Sequence, residues 1–184
     1  MNTIKIDGNL KIRALSSEDA EHLLVLSKNY TGEWLYLNSN LEGTRKFISS
    51  VVDKANKKEA FGFGIWWKNE LSGYVSLDNV DYWAKNAGIS YMLGNHYRGV
   101  GIATKACAAL VRYAFEEMKL HRIWMGCDTE NIKSFAVAER LGFKKEGLLH
   151  CNRLTLHPHE DFSAAAKPGD DLFQLFLRQN GDGM

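Results

Sequence analysis

The stretch from Ala87 to Tyr113, AGISYMLGNHYRGVGIATKACAALVRY, constrains this chain most. A short apolar run ends at Leu93, and the turn Arg98-Gly99-Val100-Gly101-Ile102-Ala103-Thr104 comes soon after it. Apolar residues then recur at spacings of three and four (Ile102, Ala106, Ala109, Leu110, Tyr113), which predicts a helix. Two glycines let the backbone take angles that other residues resist and let a ligand approach closely. A helix starting here leaves its first N–H groups unpaired, and with the positive end of the helix dipole they suit an anion such as a pyrophosphate. The same string also fits ordinary packing of a strand on a helix, and glycine spacing alone does not choose between the two. Gly99-x-Gly101-x-x-Thr104 matches the dinucleotide fingerprint only in part, with no acidic ribose ligand at the right distance. A triphosphate loop is excluded, because no Gly-Lys-Ser/Thr follows the turn.

The 184 residues suit a single domain spanning 1–184 with a sizeable core. A formal net charge of +1 gives no electrostatic case for nucleic acid or an anionic membrane surface. No apolar run is long enough to span a bilayer, and the N-terminus lacks the hydrophobic core of a signal peptide. Cys107, Cys127 and Cys151 are odd in number and widely spaced, without zinc spacing or a disulfide framework. They read as small core residues in a reducing cytoplasm.

Patterning orders the rest. Leu10 to Leu15 alternates as a strand, and Ser16 with Asp19 resembles a capping box ahead of a helix that buries Ala20, Leu23 and Leu24. A second helix spans about Thr44 to Asn56. Period-two strands follow at Phe61 to Trp67, Leu71 to Val80 and Gly88 to Leu93, the first two joined by a hairpin at Lys68-Asn69-Glu70. Beyond the mid-chain helix come a strand at Arg122 to Asp128 and a short helix at Asn131 to Leu141, closed by Gly142. Further strands are predicted at Lys144 to Arg153 and Asp171 to Arg178, separated by a polar connection over about 154–169. The expected fold is α/β (α+β), a mixed, mostly antiparallel sheet of about seven strands flanked by about four helices.

A second motif opens the short helix: Asp128-Thr129-Glu130-Asn131-Ile132-Lys133-Ser134, continuing to Arg140-Leu141-Gly142-Phe143. Asn131 and Ser134 have a plain reading as caps for unpaired N–H groups. Together, the two motifs resemble the GNAT superfamily of acetyl-coenzyme A-dependent N-acetyltransferases. Arg98-x-x-Gly101-x-Ala103 is similar to its pyrophosphate motif. Asn131-x-x-Ser134 with Glu139-Arg140-Leu141-Gly142-Phe143, and Trp34-Leu35 after the first helix, resemble the branch that acetylates the N-termini of ribosomal proteins. The likeness covers roughly residues 10 to 153.

The resemblance implies acetyl-coenzyme A as co-substrate, no metal, and an amine acceptor: a protein N-terminus or a small amine such as a polyamine. Met92 and Leu93 would offer main-chain groups to the pantetheine arm. The amides of Arg98, Gly99, Val100, Gly101, Ile102, Ala103 and Thr104 would hold the pyrophosphate, and Asn131 the cofactor arm. Ser134 would sit near the sulfur and protonate the leaving thiolate, because the Tyr that many relatives place four residues on is Ala138 here. Trp34 and Asn79 are candidates for the acceptor pocket. The branch commonly has Glu where Gly88 and Arg153 stand, so the general base is open among Glu33, Asp78, Asp81 and His150. An α-amine, with a pKa of about 7.7–8, is neutral often enough at pH 7 to need only a weak base. His157-Pro158-His159-Glu160-Asp161 has metal-ligating residue types but reads as a solvated turn. The resemblance implies a monomer or homodimer. A non-catalytic coenzyme A-binding module and a nicotinamide oxidoreductase are the competing classes.

Overall fold

Period-two patterning between Phe61 and Leu93 folds as three consecutive antiparallel strands, and the rest of the sheet is laid down on either side of them. The computed structural model describes residues 3–28, 40–150 and 172–180. Its strands are β1 (Thr3–Lys5), β2 (Leu10–Ala14), β3 (Phe61–Trp67), β4 (Glu70–Asp81), β5 (Asn86–Leu93), β6 (Arg122–Asp128), β7 (Lys144–His150) and β8 (Leu172–Gln179). They form one 8-stranded sheet in the order β1-β2-β3-β4-β5-β6-β8-β7. Every neighbouring pair is antiparallel except β5 and β6. The seven expected strands are present, and β1 is added at the edge. It is three residues long and too short for a periodic signal.

The helices are α1 (Ala20–Lys28), α2 (Leu41–Asn56), α3 (Ile102–Glu116) and α4 (Ile132–Arg140). Asn40 caps α2 by accepting a hydrogen bond from the Gly43 amide at 2.8 Å, so the helix begins three residues before the expected Thr44. Lys68 and Asn69 both have positive φ, as a two-residue hairpin turn requires. Glu70 already belongs to β4.

Alternation along the strands builds two apolar layers. Val75, Leu77, Ala87, Ile89 and Ile123 pack beneath Ile102, Ala106, Leu110 and Ala114 of α3. On the other face Trp66, Tyr74 and Met92 pack with Leu23 and Leu26 of α1 and Ile48 of α2. Trp66 is thus a core residue. Trp83, at the β4–β5 turn, is 94% exposed. Cys107 and Cys127 are buried and free, as expected of core residues; Cys151 lies outside the described residues.

A polar joint fixes the start of α1. Asp19, 3% exposed, accepts from both terminal nitrogens of Arg13 at 2.9 and 2.7 Å. It also accepts from the Ser16 amide at 2.8 Å, as the capping-box reading requires. The Arg13 guanidinium lies 4.1 Å from the centre of the Trp66 ring. Burial pushes the Asp19 carboxyl up, but the Arg13 and Ser16 donors outweigh it and hold the group below its ordinary range. Its stabilising effect is therefore complete above the unfolded pKa of about 3.9 and is lost as pH falls through the lower folded value. Asp19→Ala should cost about 1–3 kcal/mol at pH 7 in urea unfolding. The variant should also lose less stability than the parent between neutral pH and acid.

Candidate active site

Parallel pairing of β5 with β6 is brief. It joins Asn86, Ala87 and Gly88 to Arg122, Ile123 and Trp124 and goes no further. β5 nevertheless continues to Leu93, paired with β4, and β6 to Asp128, paired with β8. Past Gly88 the two strands therefore part, and among the described residues no strand lies across from either edge. Hydrogen-bonded residues alternate along an antiparallel ladder. The Gly94 amide donates to the Ser72 carbonyl at 2.9 Å, so Met92 and Ser90 turn their main-chain groups to β4 as well. The groups facing the fork belong to Ile89, Tyr91 and Leu93. Met92, expected to offer main-chain groups to the pantetheine arm, has its amide and carbonyl turned to Tyr74 of β4. Leu93 stays at the fork, with its carbonyl accepting from Arg98 Nε at 3.2 Å.

The last paired position before the fork is tightly packed. A Cβ at Gly88 would meet the Trp124 ring, with the nearest atom at 2.7 Å. The indole lies flush against the β5 backbone at the last paired position, and only glycine leaves it room. A glutamate at position 88 is incompatible with Trp124 in its present place.

Beyond β5 a short 3-10 turn, Asn95–Tyr97, leads into the glycine turn. The Arg98 amide closes that turn on the Asn95 carbonyl at 3.4 Å, so it is not among the open donors. Among the described residues, none of the amides from Gly99 to Thr104 has a hydrogen-bond partner. Lys105 is the first to donate, to the Gly101 carbonyl at 3.0 Å. Gly99 and Gly101 have φ of 85° and 82°, and a Cβ on either would point into open space. No side chain caps α3. The result is an exposed row of donors at the positive end of a helix dipole, shaped to surround an anion.

Asn131 caps α4: its Oδ1 accepts from the Ser134 amide at 3.1 Å. The Tyr91 hydroxyl reaches across from β5 and donates to Ser134 Oγ at 3.1 Å. Ser134 is therefore one half of a hydroxyl pair that joins the two arms of the fork. Sequence reasoning missed Tyr91, since the partners are 43 residues apart and nothing local relates them. Ala138 is fully buried and brings no polar group to the site. Burial, with the Asp128 carboxylate beside it, pushes the Cys127 thiol up to about 11, which leaves it un-ionised and a poor nucleophile.

On the α2 side of the fork lies a cavity of about 400 Å³, lined by Lys46, Phe47, Lys54, Gly62, Tyr74 and Asp78 among others. Asp78 pairs with Gly88 in the ladder. Its Oδ2 accepts from Ser90 Oγ at 2.6 Å and Ser76 Oγ at 3.0 Å. Asn79 is exposed at the bulge that follows, with φ of 51°. Asp81 is exposed at the β4–β5 turn, where its Oδ1 accepts from the Trp83 and Ala84 amides at 2.9 and 2.8 Å. Trp34, Glu33, Arg153 and the His157 to Asp161 segment lie outside the described residues, as does the side chain of His150.

A sheet forked beside a run of open amides, with a hydroxyl donor at its mouth and a cavity on its far face, defines an acyltransferase built to hold a diphosphate-bearing thioester. Residues 9–144 match the acetyltransferase (GNAT) domain, and the chain belongs to that family. It is 32% identical to Bacillus subtilis YdaF, assigned only provisionally as a ribosomal N-acetyltransferase, over 80% of this chain and 84% of that one. It is 24% identical to the Escherichia coli K12 spermidine N(1)-acetyltransferase, over 90% and 95%. The fold superposes with a TM-score of 0.86 on RimL, a ribosomal L7/L12 α-N-protein acetyltransferase solved with coenzyme A, at 21% identity over 99% and 100% of the two chains. The protein is an acetyl-coenzyme A-dependent N-acetyltransferase.

The fork makes a clear structural prediction. Gly88→Ala should cost about 1–3 kcal/mol in urea unfolding, as overpacking does. In the Trp124→Ala background the same change should cost much less, because the ring it meets is gone. Equal costs in both backgrounds would show that Trp124 does not set the requirement for glycine.

Proposed function

We propose that the enzyme acetylates the N-terminal α-amine of a protein, such as a ribosomal protein, in the cytoplasm. The observation that carries this reading is the charge of the cavity behind the fork. Among the described residues one carboxylate, Asp78, lines it together with Lys46 and Lys54. That set suits one ammonium group whose neighbours are neutral or anionic. A polyamine would bring further positive charges against two lysines, at a Coulomb cost of about 1 kcal/mol or more per close pair even near the surface. The relationship to YdaF supports the same acceptor; the relationship to the spermidine enzyme defines the reading to beat.

The site residues divide the work. The amides of Gly99, Val100, Gly101, Ile102, Ala103 and Thr104 bind the pyrophosphate, braced by Arg98 through its bond to Leu93. The main-chain groups of Tyr91 and Leu93 line the path of the pantetheine arm, and an amide of this edge polarises the acyl carbonyl. Asn131 holds the start of α4 and offers its Nδ2 to the cofactor arm. Ser134, backed by the Tyr91 hydroxyl, supplies a proton at the sulfur. Acetyl-coenzyme A supplies an activated acetyl group and a leaving thiolate whose conjugate acid has a pKa of about 8.5, so a hydroxyl donor is sufficient. Trp34 and Asn79 lie on the acceptor side in this reading.

A panel of peptides with free N-termini, the same peptides N-acetylated, and spermidine tests the proposal through thiol release from acetyl-coenzyme A. Free-N-terminus peptides should be turned over with kcat/KM well above that for spermidine, and the blocked peptides not at all. Ser134→Ala should bind coenzyme A within a few-fold of the parent and lose about 10²-fold in kcat. Preference for spermidine would overturn the acceptor assignment, and full turnover by the variant would reduce Ser134 to a helix residue.

A further inference from the structure

The fork has no acid on β5, since position 88 is glycine and the Trp124 ring fills the space above it. One step across the ladder, Asp78 stands in register with Gly88. Its side chain shares a face with Ser76 and Ser90, the cavity side of the sheet, and among the described residues it is the one carboxylate lining that cavity. Two hydroxyls, Ser76 and Ser90, hold its Oδ2 from β4 and β5. Among the described residues no group donates to Oδ1. Tyr74 lines the same cavity wall as Asp78. Gly62 leaves room for the Tyr74 ring, with which a Cβ there would collide. Both serines donate to the same oxygen and so fix the orientation of the carboxylate. An anchored carboxylate with one oxygen open, at the wall of a cavity beside the fork, is suited to an ammonium ion.

We propose that Asp78 receives the acceptor's ammonium group and accepts its proton, acting from β4 at the point where β5 and β6 part. This deepens the acetyltransferase reading and rests on it. The ammonium nitrogen gives one proton to Asp78, which passes it to solvent. The freed lone pair forms the bond to the acetyl carbon as the carbon–sulfur bond breaks. The second proton lost from nitrogen balances the one that ends on the departing sulfur through Ser134. The charged and titratable groups round Asp78 are Lys46 and Lys54 from α2 and Tyr74 from β4. Burial raises Tyr74 far above the ordinary phenol range, so it stays neutral throughout the pH range of the test. The two lysines leave Asp78 as the acid that differs between parent and variant.

The test uses the full chain, an alanine-initiated tetrapeptide amide and spermidine as probes, and the variants Asp78→Asn, Asp78→Glu and Ser90→Ala. Asp78→Asn keeps an acceptor for both serines, so melting temperature and coenzyme A affinity should match the parent. Its kcat/KM should fall about 10²-fold at pH 7. The deficit should shrink to a few-fold above pH 9, where the α-amine is already neutral. Calorimetric binding of the tetrapeptide without coenzyme A should weaken about tenfold or more in the variant. Asp78→Glu should recover part of the activity, and Ser90→Ala should lose a few-fold. A deficit independent of pH, or unchanged tetrapeptide binding and activity, would overturn the proposal. If the parent prefers spermidine, the α-amine reading falls, and the Asp78→Asn profile with spermidine then decides the Asp78 proposal separately. A parent inert to both probes would overturn both.

Discussion

The site depends on main-chain groups that the fold leaves without partners. Peptide N–H and C=O groups are strong hydrogen-bonding groups, and nearly all of those buried in proteins are paired. Here one line of them is open. Among the described residues it consists of the amides from Gly99 to Thr104 at the head of α3, beside the edge of β5 that β6 leaves beyond Gly88. The arrangement is held open rather than merely unfinished. Trp124 stands against Gly88 where the strands part, β8 claims the other edge of β6, and Arg98 ties the glycine turn to the end of β5. In the proposed function a ligand with a linear, amide-bearing arm and a diphosphate runs along the β5 edge to those amides, which puts the thioester at the end of the arm at the fork.

That placement separates the chemistry by face. On the α3 and α4 side the Tyr91 and Ser134 hydroxyls meet at 3.1 Å, where the proposed mechanism puts the leaving group. On the α2 side stand Asp78 and its two serines, where it puts the nucleophile. The sheet itself is the partition, and the fork is the opening through it. Strand alternation assigns each residue its side: Tyr91 and Ser90 are neighbours in sequence and work on opposite faces.

Much of this was legible from local patterns. Period-two stretches marked β3, β4 and β5, helical spacing marked α3, and the glycine turn was readable as an anion site because positive φ and open amides follow from residue type. What could not be read was register. Whether Met92 or Tyr91 turns its amide to the fork depends on a single ladder bond, Gly94 to Ser72, and a shift of one residue reverses the answer. The Tyr91–Ser134 and Asp78–Ser90 bonds join residues far apart in sequence. The missing acid at Gly88 looked like a defect in the sequence. In the structure it is the space that Trp124 requires, and the carboxylate stands opposite on β4.

The most direct measurement of the central claim is residue-resolved amide hydrogen exchange with and without acetyl-coenzyme A. At a ligand concentration about 100 times Kd, amides held by the bound molecule should slow by up to about a hundredfold. Protection should appear at the amides from Gly99 to Thr104 and at Tyr91 and Leu93, while Met92, already paired with Tyr74, should stay as it was. Protection confined to other segments, with Gly99 to Thr104 exchanging as fast as in the free protein, would contradict the account.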